Sequence, residues 1–175
     1  MRRLADVETL RRFMRELARA ARGQARVYFT GGATAVLLGW RPTTIDVDLT
    51  WEPERDELFR ALPGLKERLQ INVEIAAPPH FIPELPGWRE RCLPIVEDRP
   101  LRFLHYDPYA QTLAKIERGH AQDRLDVAAM IERGLVERGE LARLFRAIVP
   151  DLYRYPAVDP EAFGRAVGAA ADAPG

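Results

Sequence analysis

Residues 28–51 read YFTGGATAVLLGWRPTTIDVDLTW, and the reading of the whole chain turns on them. Val27, Tyr28 and Phe29 form a short apolar-aromatic run of the kind that fits a strand. The pair Gly31-Gly32 follows, then small residues over 33–38 with helical character, ended by Gly39. The turn Arg41-Pro42-Thr43-Thr44 leads into an alternating run, Ile45-Asp46-Val47-Asp48-Leu49. The predicted order is strand, glycine turn, helix, turn, strand.

Strand side chains two residues apart share a face. Ile45, Val47 and Leu49 are therefore expected on one face, and Asp46 and Asp48 on the other. Carboxylates ~6–7 Å apart along a strand repel unless a cation lies between them. Mg²⁺ takes one or two carboxylates together with substrate phosphates. Glycines ahead of a helix let a phosphate approach the backbone N–H groups and the positive end of the helix dipole. Each part also has a plainer reading: Gly-Gly is a common turn, and alternation is what a half-buried strand looks like. Asp is disfavoured in strands, however, and like charges on one face are costlier still.

The pattern hydrophobic-Gly-Gly, a gap of thirteen residues from Ala33 to Ile45, then Asp-hydrophobic-Asp-hydrophobic resembles the signature of the DNA polymerase beta-type nucleotidyltransferase superfamily. The small size is similar to that of its minimal members, including toxin-like (AbiEii-like) proteins of toxin–antitoxin and abortive-infection systems. The resemblance implies a fold over most of the first hundred residues, Mg²⁺ or Mn²⁺ as cofactor and a nucleoside triphosphate as donor. It also implies a third carboxylate on a later strand. Glu74 is the only good candidate by position, although many members carry Asp there.

With 175 residues, the chain reads as one domain with a helical appendage. The expected class is α/β (α+β): a small mixed sheet flanked by helices over residues 1–106, and a mostly helical part over 107–175. Net charge is zero, so no global basic field points to duplex DNA. Positive charge is almost all arginine, with Lys66 and Lys115 the only lysines. The single cysteine, Cys92, permits no intrachain disulfide and makes a Cys-based metal site a poor fit. His80 and His105 lack ligand spacing for zinc. No apolar run spans a membrane and the basic start lacks the apolar core of a signal peptide, so a cytoplasmic location is expected.

Val7, Leu10, Phe13, Met14, Leu17 and Ala21 recur at helical spacing, with Asp6 as cap and Gly23 as stop. Residues 54–62 and 65–69 read as a helix interrupted at Pro63-Gly64. Ile71, Val73 and Ile75 alternate with Asn72 and Glu74, the apolar set facing a core. Residues 80–98 are Pro-rich and read as a packed loop, and residues 101–106 as a strand. Asp107-Pro108 and Asp159-Pro160 are cap-plus-proline helix starts. Helices are expected from 107 to about Gly119, over 122–133 and over 137–148. A short last helix runs through Phe163 and Val167, with fraying over 169–175.

The stretch LAKIERGHAQDRLDV resembles the Lys-then-Asp-x-x-Asp segment of toxin-like nucleotidyltransferases. Carried over, Lys115 would contact donor phosphates, with Asp123 and Asp126 in support, while His120 reads as structural. Asp46, Asp48 and Glu74 would hold metal and carry the catalysis. Thr30, Gly31 and Gly32 would hold the triphosphate, supported by Arg41 and Thr44. The acceptor is an RNA, a protein or a small molecule, and an antitoxin partner is expected for a toxin-like role. Two other readings stay open: a non-catalytic nucleotide- or partner-binding protein on the same fold, and a DNA-binding helical protein that leaves the acidic strand unexplained.

Overall fold

The computed structural model describes residues 2–173, and among these the chain forms two compact units, interleaved in sequence. The first comprises Met1–Ala77 and Cys92–Tyr106; the second comprises Pro78–Arg91 and Asp107–Gly175.

The first unit is built on five strands: β1 (Ala25–Thr30), β2 (Asp46–Glu52), β3 (Asn72–Ile75), β4 (Leu93–Asp98) and β5 (Leu101–His105). Their order across the sheet is β3-β2-β1-β5-β4. The sheet is mixed: β1 runs antiparallel to β2 and parallel to β5, β2 runs parallel to β3, and β4 closes the far edge antiparallel to β5. Three helices belong to this unit: α1 (Val7–Ala20), α2 (Gly31–Leu38) and α3 (Asp56–Leu69). Leu10, Phe13 and Leu17 of α1 and Leu58 and Leu65 of α3 are buried in one apolar cluster. The cluster also takes Val27 and Phe29, Val47 and Leu49, Val73, and Leu101 and Phe103 from successive strands. Phe29 meets Phe13 edge-on at 6.2 Å and stacks with Phe103 at 6.1 Å between centroids. One face of the sheet is thus apolar and the alternate residues form the other.

Several boundaries differ from the sequence expectation. Helix α3 runs unbroken through Pro63. An interior proline costs ~3 kcal/mol, but Leu58, Leu62, Leu65 and Leu69 are all buried, at about 1.5–3 kcal/mol each. Residues 93–98, expected as loop, form β4, an edge strand where Pro94 is tolerated beside a bulge. Ile45 precedes β2 and is 70% exposed, and Ile75 ends the other edge strand at 39%, so neither joins the apolar face. Helix α1 ends at Ala20, before Gly23, with Asp6 capping as expected.

The second unit is helical: α4 (Trp88–Arg91), α5 (Pro108–Arg118), α6 (Ala121–Glu132), α7 (Arg138–Ile148) and α8 (Pro160–Asp172), with 3₁₀ turns at Pro78–His80 and Val149–Arg154. Asp107 caps α5 by accepting the Tyr109 N–H at 2.9 Å, and Asp159 caps α8 by accepting the N–H groups of Glu161 and Ala162. Arg91 donates to Asp107 at 2.6 Å, which ties Pro78–Arg91 to the start of α5. Burial still raises the Asp107 carboxyl above its usual range, against the pull of Arg91. Leu113, Met130, Leu141, Leu144 and Phe163 fill the interior. Helix α8 extends to Asp172, past the expected fraying point; the remainder of that expectation lies outside the described residues. No helix among the described residues is long and apolar enough to cross a membrane.

Candidate active site

Strand β1 passes into α2 at Thr30-Gly31, with Thr30 extended at the N-cap. Gly31 and Gly32 were expected ahead of the helix; they form its first turn instead. Gly31 has φ +60, a region that costs a residue with a Cβ roughly 1–2 kcal/mol. Space demands glycine here as well. A Cβ on Gly31 would lie 2.9 Å from Asp48 Oδ2. A Cβ on Gly32 would lie 2.0 Å from Thr44 Oγ1 and 3.4 Å from Arg41 Nη1. The two missing side chains therefore bring the helix's first turn against Asp48, Thr44 and Arg41, the residues the sequence nominated around it.

The turn before β2 is anchored. Thr44 exchanges backbone hydrogen bonds with Ala5 at 2.8 and 2.9 Å, and its hydroxyl donates to the Asp46 carbonyl at 2.9 Å. Strand β2 then sets Val47, Leu49 and Trp51 into the core and Asp46 and Asp48 on the opposite face, where both are half-buried.

Strand β3 lies beside β2 in parallel register, with Asp46 opposite Asn72 and Asp48 opposite Glu74. In-register partners share a face, so Asp46, Asp48, Asn72 and Glu74 line one surface. The Asn72 amide donates to Asp46 Oδ1 at 2.6 Å and to Glu74 Oε1 at 2.9 Å. Its own oxygen accepts from Arg2. One neutral NH₂ group thus stands between two carboxylates. The sequence reading gave Asn72 no role; its only signal was its place two residues before Glu74 on the alternating strand.

The donor set tests the expected ion. Carboxylates are hard oxygen ligands of the kind Mg²⁺ takes. Among the described residues no three His, Cys, Asp or Glu side chains are grouped so that together they could hold a metal ion. Mg²⁺ needs only one or two carboxylates when waters and phosphate oxygens fill the rest of its shell, a demand that Asp46 and Asp48 meet by type. The absent Cβ of Gly31 brings the backbone of the first helical turn close to the Asp48 carboxylate.

His105, at the end of β5, supports the cradle from the other side of β1. Its Nδ1 lies 3.0 Å from the Thr34 hydroxyl of α2, and the Tyr106 N–H donates to the Phe29 carbonyl at 2.8 Å. Burial lowers the His105 pKa to about 4, so the ring is neutral at pH 7. It is a strut for α2, in keeping with its lack of ligand spacing.

Lys115, Asp123 and Asp126 lie in the second unit. The Lys115 ammonium is buried, 2.7 Å from Asp126 Oδ2 and 3.5 Å from Asp123 Oδ1. Arg118 donates to both Asp123 oxygens, at 2.8 and 2.6 Å. Burial pushes the Asp123 carboxyl up, but Arg118 and Lys115 outweigh it and hold the group below its ordinary value. Asp123 also accepts the His120 N–H at 3.2 Å, and His120 caps α6, a structural position.

A profile described as "Nucleotidyltransferase of unknown function (DUF6036)" matches residues 5–153. Curated proteins and solved structures yield no match.

Proposed function

This chain belongs to the nucleotidyltransferase family of unknown function DUF6036, and from that premise we propose that it moves a nucleoside monophosphate from a nucleoside triphosphate to a hydroxyl, with Mg²⁺ or Mn²⁺. The observation that carries the reading is the juxtaposition of three carboxylates on one sheet face with a glycine cradle whose missing Cβ faces Asp48.

Within this reading each residue has a distinct part. Thr30, Gly31 and Gly32 present the backbone of the first helical turn to the triphosphate, where the helix dipole favours negative charge. Arg41 and Thr44 flank Gly32 and steady the phosphates from the side. Asp46 and Asp48 would hold a divalent ion, which would offset charge on the phosphates and in the transition state. Glu74 receives the proton of the acceptor hydroxyl or completes a second ion site. The acceptor oxygen bonds to the α-phosphorus, the bond from that phosphorus to the β-phosphate oxygen breaks, and pyrophosphate leaves with the electron pair. The Asn72 amide, which donates to Asp46 and Glu74, would compete with a divalent ion for those oxygens. The role the resemblance gives Lys115 requires its ammonium to exchange the Asp126 carboxylate for a phosphate oxygen, one anion for another. A toxin-like role in the cytoplasm, checked by an antitoxin partner protein, completes the proposal.

Transfer from α-labelled NTPs into a cell extract, with Mg²⁺ or Mn²⁺, tests it. Label should enter RNA, protein or a small molecule with the wild type and vanish with Asp46→Ala and Asp48→Ala. Equal labelling by those variants removes the assignment. Metal-dependent NTP binding without any transfer assigns the chain to the non-catalytic reading instead.

A further inference from the structure

A groove of about 950 Å³ opens at the end of the sheet away from the glycine cradle, lined by Arg26, Arg55, Arg99 and Arg102 with Glu52 and Glu97. Four guanidinium groups face two carboxylates there, on a chain whose net charge is zero. The strand register explains the concentration. Arg26 of β1 pairs with Arg102 of β5, Glu52 of β2 flanks Arg26, and Glu97 of β4 flanks Arg102. Like charges side by side on neighbouring strands destabilise a sheet unless a counter-charge joins them. The flanking acids supply part of it, but Glu52 also accepts the Tyr28 hydroxyl at 2.7 Å. Arg55 is fixed at the rim by two N–H bonds to the neutral Gln24 carbonyl, at 3.1 and 2.7 Å, and Arg99, 90% exposed, forms a solvent-exposed ion pair with Glu97 at 3.5 Å.

The groove shares its face with the acids. Arg26, Tyr28 and Thr30 alternate with Val27 and Phe29, Tyr28 being itself buried, and Thr30 pairs with Asp48 as Arg26 pairs with Glu52. Asp48 and Glu52 are therefore on the same side of β2, ~13 Å apart along the strand. That separation is too long for one triphosphate to touch both. Guanidinium forks match phosphate oxygens two at a time.

We propose that this arginine groove binds the sugar-phosphate backbone of a single-stranded RNA acceptor, holding it while a terminal hydroxyl reaches Asp46, Asp48 and Glu74. The proposal rests on the transferase reading for the direction of the strand, but the groove itself is testable without chemistry. A labelled 12-nucleotide single-stranded RNA is titrated by fluorescence anisotropy from 50 to 200 mM KCl, with no NTP and no divalent ion. The wild type should bind with a clear salt dependence. Arg26→Gln/Arg102→Gln should bind at least ~10-fold more weakly and flatten the salt slope by about 1.4, for two lost phosphate contacts at ~0.7 each. The remote Arg143→Gln should bind as well as wild type, and a glutamate-rich peptide of equal charge should compete poorly. No RNA binding by the wild type, equal binding by the double arginine variant, or equal competition by the peptide would each overturn the groove. An inactive transferase that still binds RNA in this pattern leaves the groove standing and sinks only the chemistry. Arg26 and Arg102 are exposed, and a circular-dichroism melt unchanged from wild type ties any loss to the groove.

Discussion

Replacing Gly31 by alanine separates backbone strain from contact with Asp48, the proposed metal ligand, because Gly39 supplies a control. Both glycines close opposite ends of α2 with positive φ, +60 and +90. An added Cβ costs roughly 1–2 kcal/mol at either from conformation alone. Their surroundings differ. Nothing lies within 4 Å of a Cβ on Gly39, whereas one on Gly31 meets Asp48 Oδ2 at 2.9 Å. The carboxylate tip is flexible and moves aside, so the clash adds little to the loss of stability. It adds much to the loss of function, because Mg²⁺ demands near-ideal octahedral ligands at ~2.0–2.1 Å. Displacing a positioned ligand typically costs about 10–100-fold in metal affinity. Urea melts should therefore show Gly31→Ala and Gly39→Ala destabilised alike, by about 1–2 kcal/mol. Mn²⁺ titration followed by electron paramagnetic resonance should show Gly31→Ala weakened about 10–100-fold and Gly39→Ala unchanged. Equal Mn²⁺ affinity in the two variants would refute the argument that Gly31 exists to admit Asp48.

Three further outcomes follow from named contacts. The His105 ring takes a proton at 6.5 when unfolded and only at about 4 when folded, so its stability contribution is complete above 6.5 and falls by up to about 3 kcal/mol as pH drops to 4; the slope of urea midpoint against pH in that window should flatten in His105→Gln. Lys115→Ala strands the buried Asp126 carboxylate and should cost about 3–5 kcal/mol by chemical denaturation, while Lys115→Met/Asp126→Leu should recover most of it. If Lys115 also serves the donor, that double variant should bind NTP at least ~10-fold more weakly; unchanged affinity would leave Lys115 a strut alone. Asn72→Ala removes the amide that spans Asp46 and Glu74. It should lower stability at neutral pH without metal and regain more of it than wild type on adding Mg²⁺, read as the shift in melting temperature.

Much of this arrangement is legible in the sequence because it rests on short periods. The i, i+2 alternation of β2 alone separates Asp46 and Asp48 from Val47 and Leu49. Caps are equally local, and Asp6, Asp107 and Asp159 all accept the helix N–H groups their positions suggest. What the sequence does not convey is pairing. Glu74 stands opposite Asp48 only because β3 runs parallel to β2 in one register, a long-range choice made by the packing of α3. Asn72 goes unnoticed for the same reason, since its importance lies in the carboxylate across the ladder. Ile45 and Ile75 mislead because alternation continues past the point where the core covers the strand. Pro63 and Pro94 mislead in the opposite sense: tertiary burial and an edge position override a residue that usually ends an element.

The place of β1 has a consequence for synthesis. It is flanked by β2, which follows within twenty residues, and by β5, which begins only at Leu101 after α3, β3 and the whole excursion through Pro78–Arg91. A nascent chain made at roughly 5–20 residues per second leaves one side of β1 uncovered for about 4–14 s. Through that interval Phe29 has no Tyr106 to bind its carbonyl and no Phe103 to stack upon. A ribosome stalled before Leu101 would hold a chain with every acid and both glycines already made, yet with its central ribbon bare and ready to join another.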